Sequence, residues 1–277
     1  MSEGKDILYE VRGKVAIITL NSPEERNSLS MKQYYLLGKL MEKADKDPNT
    51  VVTIFQSTGK YFSTGASTND DDFNELGETD PSRQSEDFWM RHFLARNVWL
   101  TDIFHNHSKV LVGALNGPVI GLSTGLFSHC DLIYAMDTSK VYLLAPFANL
   151  GLVGEGAACA TLFLRLGWSK ASEALLFSRP IRGPDLKALG FINQSFDGQF
   201  NSTEEFNEGI YKQVIEQFDH LYPPSILANK KLLRDCRDKL INDISVKEAV
   251  TGLHRWTNGI PQDRFFQLVT GQIRHKL

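Results

Sequence analysis

No apolar run in this sequence approaches the roughly 18 residues that a membrane-spanning helix needs, so no membrane partner is expected. Basic residues are not in excess: 30 Lys and Arg stand against 33 Asp and Glu, a formal charge of −3. That leaves no cationic footprint for a nucleic acid. Cysteine is scarce. Cys130, Cys159 and Cys236 are far apart and odd in number, and the polar opening MSEGKDILYEVRG lacks the apolar core of a secretory leader. Reduced thiols are therefore expected, and the three Asn-x-Ser/Thr matches, at Asn106, Asn193 and Asn201, read as chance. Metal-ligand spacings are also wanting. His105 and His107 form a close pair near a helix end, but no His, Cys or carboxylate cluster completes a set. Both read as surface histidines, and neither metal nor cofactor is expected.

What is present is a chain of 277 residues, 42% hydrophobic, enough for one large domain or one domain with an appendage. Its centre is Lys109 to Tyr134, KVLVGALNGPVIGLSTGLFSHCDLIY. Val110 to Leu115 is apolar without alternation, the pattern of a strand covered on both faces. Asn116-Gly117-Pro118 breaks it, Gly121 permits a tight turn, and Leu122 to His129 starts a helix. A helix start displays unpaired N–H groups that can hold a developing oxyanion. On this segment alone, plain strand-to-helix punctuation is the better account of the pattern.

The same grammar occurs earlier. Ile7 to Val11 and Val15 to Leu20 form a hairpin, and Ser28 to Lys46 has helical periodicity. Val51 to Gln56 is a strand, followed by the glycine turn Tyr61-Phe62-Ser63-Thr64-Gly65-Ala66-Ser67. Thr68 to Asp87 is acidic and reads as a long, solvated surface loop rather than a cation site. Phe88 to His107 is helical, Lys140 to Leu144 a strand, and Leu162 to Leu166 and Ala171 to Phe177 helices. Leu186 to Ile192 reads as a helix and strand. Beyond it, Glu204 to His220, Ser225 to Asp238, Ser245 to Trp256 and Asp263 to Ile273 are amphipathic helices. Strands alternating with helices, then helices alone, predict an α/β layered core with a helical C-terminal appendage.

Two local features invite catalysis. Gly121-Leu122-Ser123-Thr124-Gly125 fits the G-x-S-x-G elbow of serine hydrolases, but five residues containing Pro118 separate it from its strand. Ser123 is better read as a small helix residue. Glu155 is a lone carboxylate among Leu150, Leu152, Val153, Ala157 and Ala158. Apolar surroundings raise a carboxyl pKa and make a better base. An exposed glutamate complementing a helix dipole explains the local sequence as well.

Together these segments resemble the crotonase (enoyl-CoA hydratase/isomerase) superfamily. The resemblance lies in Val15 to Pro23, in Arg26-Asn27-Ser28-Leu29-Ser30, and in two glycine turns, Phe62-Ser63-Thr64-Gly65-Ala66 and Leu115 to Leu122. It implies a crotonase-like ββα spiral core over residues 1–200 and a C-terminal helical trimerisation region over 201–277. It further implies an acyl-CoA substrate bound along Ser63, Gly65, Ala66, Gly121 and Leu122, with the backbone N–H groups of Ala66 and Leu122 as the oxyanion hole. The departures narrow the reaction. Family hydratases carry glutamates where this chain has Gly125 and Phe147, and dienoyl-CoA isomerases carry an acid at the Phe147 position. The segment Asn149-Leu150-Gly151-Leu152-Val153-Gly154-Glu155-Gly156 is similar to that of Δ3,Δ2-enoyl-CoA isomerases, whose single catalytic glutamate sits at Glu155. Asn97 is a candidate to orient it. A dienoyl-CoA isomerase and a non-catalytic acyl-CoA binder remain alternatives. The terminal His275-Lys276-Leu277 is similar to a peroxisomal address, which implies an import receptor as partner and the peroxisomal matrix as location. The family's habit implies a trimer or a dimer of trimers.

Overall fold

The computed structural model describes residues 5–67 and 85–275. Most of the acidic Thr68–Asp87 stretch and the last two residues, Lys276 and Leu277, lie outside them.

Strands β1 (Ile7–Arg12) and β2 (Val15–Leu20) pair as an antiparallel hairpin across Gly13. β2 is buried at every residue, as are β3 (Val52–Ser57) and all but the first residue of β4 (Val110–Leu115). These unbroken apolar runs form the parallel centre of a six-stranded sheet, completed by β6 (Leu132–Ala135) and the short β9 (Gln194–Ser195), in the order β1-β2-β3-β4-β6-β9. β5 (Val119–Ile120), β7 (Tyr142–Leu144) and β8 (Ile181–Arg182) make a second, three-stranded sheet.

Helix α1 (Met31–Lys46) starts where Ser30 and Gln33 cap each other, and it turns Tyr34, Leu37, Leu40 and Met41 onto the main sheet. The helical pattern after residue 85 resolves into α2 (Glu86–Trp89), a π turn over Met90–Leu94, and α3 (Ala95–Asn106). Glu86 and Asp87 thus belong to a helix and not to the surface loop. The other helices are α4 (Leu122–Phe127), α5 (Ala158–Leu176), α6 (Gly183–Ala188), α7 (Thr203–Phe218), α8 (Pro223–Asp235), α9 (Asp238–Thr257) and α10 (Ile260–Val269). α5 is kinked at Gly167 (φ 71°), which is why its sequence reads as two helices.

The sheet is covered on both faces. Ile18, Leu20, Phe55 and Leu111 pack with Leu37 and Phe104 on one side. Val15, Ile17, Ile54 and Val112 pack with Phe206, Ile210 and Val214 of α7 on the other. This is the expected α/β layering, and no helix among the described residues is long and apolar enough to cross a membrane. A third cluster ties α2 and the π turn to α9. Trp89 stacks on Trp256 with ring centroids 4.4 Å apart, and Phe93 and Leu253 complete it.

Candidate active site

The two glycine turns meet. The chain at Ser63 pairs with Val119 of β5, and the Ile120 N–H donates to Ser63 O at 2.9 Å. Gly65 holds φ +86°, and a Cβ there would lie 2.8 Å from Ile120 O, so only glycine allows this approach. Ala66 forms a parallel bridge with Leu29 in which Leu29 N–H donates to Gly65 O (2.8 Å) and Ser67 N–H donates to Leu29 O (2.9 Å). That pattern turns the Ala66 N–H away from Leu29. Across from it, Gly121 (φ +66°) donates its N–H to Leu144 O at 3.0 Å, and Leu122 begins α4 with an N–H that has no partner within the helix. Ala66 and Leu122 both line one cavity of about 410 Å³.

Ser63 and Ser123 hold the turns together. Ser63 Oγ donates to Asn27 O (2.8 Å) and accepts from the Gly65 N–H (3.1 Å), which leaves Ser123 Oγ to donate to Ser63 Oγ at 2.8 Å. Ser123 is therefore spent on a buried structural bond with another hydroxyl and is not a nucleophile elbow.

Glu155, 8% exposed, also lines the cavity and is the one carboxylate among the described residues to do so. Burial pushes its carboxyl up to about 7, while the nearby Arg96 guanidinium and a hydrogen bond from Asn97 pull the other way. Asn97 is 4% exposed and its Oδ1 accepts from Arg96 Nε at 3.0 Å. Its amide thus lies between Arg96 and Glu155. The rest of the cavity is mostly apolar: Leu29, Phe88, Trp89, Phe93, Phe147 and Leu152 among others.

The glutamate positions of family hydratases acquire a steric meaning here. A Cβ on Gly125 would collide with the carbonyl oxygen of Glu155, so the loop that carries Glu155 occupies the space of a side chain at 125. Phe147 is 3% exposed and adds only hydrocarbon to the cavity.

Sequence reading missed part of the wall. Trp256, Phe265, Leu268 and His275 also line the cavity, so the region beyond residue 200 builds the site as well as the appendage. The amphipathic pattern of α9 and α10 showed that they pack, but not against what. The reading of His105 and His107 as surface residues is corrected. They are 1% exposed. His105 Nε2 lies 2.9 Å from Asp238 Oδ1 on α9, and His107 Nε2 shares a hydrogen bond with Thr53 Oγ1 at 2.8 Å. No metal-ligating cluster occurs among the described residues.

Residues 10–237 match the sequence profile of the enoyl-CoA hydratase/isomerase family. The chain is 38% identical over 281 residues to the 3,2-trans-enoyl-CoA isomerase of Saccharomyces cerevisiae, covering 99% of this chain and 98% of that one. It is 37% identical to a Delta(3,5)-Delta(2,4)-dienoyl-CoA isomerase of Pyricularia oryzae, covering 97% and 98%. Its fold superposes with TM-score 0.81 on the crystal structure of an enoyl-CoA hydratase/isomerase from Mycobacterium paratuberculosis, at 20% identity and covering 97% and 100%.

Proposed function

The chain belongs to the enoyl-CoA hydratase/isomerase family and is an enoyl-CoA isomerase, and from that premise we propose that it converts 3-cis- or 3-trans-enoyl-CoA into 2-trans-enoyl-CoA in the β-oxidation of unsaturated fatty acids. The observation that carries this reading is one carboxylate of raised proton affinity in a largely apolar cavity that Ala66 and Leu122 also line. The C2 protons of a 3-enoyl thioester are flanked by the carbonyl and the double bond, so loss of one gives a conjugated dienolate. The N–H groups of Ala66 and Leu122 hold its oxygen, and Glu155 takes the C2 proton and returns it at C4. A single base serving two carbons needs no second acid, in keeping with Gly125 and Phe147. Apolar walls keep water from the dienolate. The chemistry calls for no cofactor or metal.

The runner-up, dienoyl-CoA isomerisation, draws on the Pyricularia relative's name but lacks an acid at Phe147. The test offers the purified protein trans-3-hexenoyl-CoA, trans-2-hexenoyl-CoA and a 3,5-dienoyl-CoA separately, following ultraviolet absorbance. A rise of the conjugated thioester with the first and no decay of the second is expected. Decay of the second means that water is added, and turnover of only the third makes the chain a dienoyl-CoA isomerase.

Two further parts of the proposal concern the whole chain. Trp168 (76% exposed), Leu176 and Phe177, on α5 and its C-cap, are large apolar side chains left exposed in the single chain, in support of a trimer or dimer of trimers in which a second copy covers them. Light scattering should find multiples of three 31.2 kDa chains. The His275-Lys276-Leu277 end supports import into the peroxisomal matrix through the receptor for such addresses. A fluorescent reporter carrying these residues should be punctate and become diffuse without them.

A further inference from the structure

Directly behind Glu155 the backbone passes through two successive left-handed residues, Gly156 (φ +71°) and Ala157 (φ +58°), before α5 begins at Ala158. Left-handed alanine is strained and persists only where the surroundings hold it. Ala157 offers no side-chain cap to α5. The acceptor comes from 89 residues downstream: Glu248 Oε1, on α9, accepts from the Cys159 N–H at 2.7 Å. Gly154 leaves the space for it, since a Cβ there would lie 2.8 Å from Glu248 Oε1 and 2.7 Å from Cys159 Sγ. On the far side of the turn, His129 Nε2 lies 2.9 Å from Gly156 O, and as a neutral ring it donates to that carbonyl.

Glu248 is 7% exposed, and its Oε2 has no hydrogen-bond partner among the described residues. A glutamine would cap α5 as well, and a buried charge is the costlier choice. The groups around it are the Ala157 and Cys159 amides, the Cys159 thiol and, through space, Glu155. The groups around Glu155 are Arg96 and Asn97. We propose that Glu248 is the positioning residue of the proton-transfer base: a second buried carboxylate, supplied by the C-terminal helical region, that clamps the left-handed turn aiming Glu155 into the cavity and adds its own field to that site. Glu155 raises the proton affinity of Glu248 through space, so the two carboxylates titrate as a linked pair. Burial already pushes Glu248 up to about 7, with Glu155 adding to it.

This inference rests on Glu155 being the base, so one readout is independent of turnover. In protein carrying carboxyl-¹³C glutamate, the Glu155 signal is the one missing from E155Q. Its titration midpoint in E248Q is expected to fall by roughly 0.3 unit or more relative to wild type. An unmoved midpoint overturns the proposal, whether or not the protein turns over 3-enoyl-CoA. Kinetics test the clamp. E248A should lose about tenfold or more in kcat with KM within about twofold, and E248Q, which keeps the acceptor for Cys159, should recover kcat while the acid limb of its pH profile stays displaced. A folded E248A with wild-type kcat overturns the clamp. If E248A fails to fold, E248Q decides alone, and a pH profile superimposable on wild type overturns the proposal.

Discussion

In the proposed reaction Glu155 binds a proton taken from carbon and releases it to carbon, which works best when its pKa lies near the working pH. Burial supplies that match by pushing the carboxyl up to about 7. The ionised form is the base, so kcat/KM is expected to rise with pH through about 7 and level off above, as a pH series with a 3-enoyl-CoA would record. E155Q keeps the volume and loses the base. It should retain a wild-type circular-dichroism spectrum and lose at least about a thousandfold in kcat, measured as appearance of the conjugated thioester. Substantial isomerisation by E155Q would remove Glu155 from the base role. Ser123 answers a different question. Its hydroxyl bonds Ser63 Oγ at 2.8 Å beneath the turn that carries Ala66. S123A should therefore lose about 1 kcal/mol in urea titration and keep most of its kcat, with no labelling of the wild type by a fluorophosphonate.

At the scale of elements, the site is the junction of two strand-to-turn units and one loop. Gly125 on α4 lies against the Glu155 carbonyl, so G125E should not produce a hydratase. The new side chain must displace the loop bearing the base. Loss of isomerase activity, no gain in hydration of trans-2-hexenoyl-CoA, and about 3 kcal/mol or more of lost stability are expected, by the two ultraviolet assays and denaturant titration. G65A acts at the facing turn. A Cβ 2.8 Å from Ile120 O, on a residue at φ +86°, pushes Ala66 and Leu122 apart, and kcat should fall about a hundredfold or more as one oxyanion donor is lost. Much of this junction was legible. Unbroken apolar runs announce covered strands, and Asn-Gly-Pro and Ser-Thr-Gly announce the turns that end them. The clash at Gly125 was not legible, because it depends on where a loop 30 residues later returns. Nor was the burial of His105, because the helix it meets begins at Asp238, and one residue type at one spacing does not reveal its lid.

For the molecule as a whole, the C-terminal helices are the part whose role the sequence conveyed least. An amphipathic face declares that a helix packs and leaves its partner unnamed. Here α9 sends Trp256 to the cavity wall and Glu248 to the turn behind the base, so folding of the last third and assembly of the site are one event. That arrangement costs stability in a defined pH window. Glu155 and Glu248 both carry folded-state pKa values raised from 4.5 to about 7. A carboxyl with a raised folded pKa stabilises the fold fully below its unfolded pKa and loses that contribution as pH climbs through the folded one. The window therefore runs from about 4.5 to about 7, and each group's ionisation costs up to roughly 3 kcal/mol across it. His129 and His107 run the other way. They are buried neutral with folded pKa values lowered to about 3 and about 4, so they weaken the fold as pH falls below about 6.5. Wild type and the glutamate variants share both histidines, so this contribution cancels in their difference. E155Q and E248Q should thus match wild type in stability near pH 4.5 and exceed it by up to roughly 3 kcal/mol at pH 8, read by urea titration at fixed protomer concentration. The gain marks what the enzyme gives up in stability to keep a base of neutral pKa in hydrocarbon. A constant difference between pH 4.5 and 8 would mean that these carboxylates titrate alike in the folded and unfolded chain.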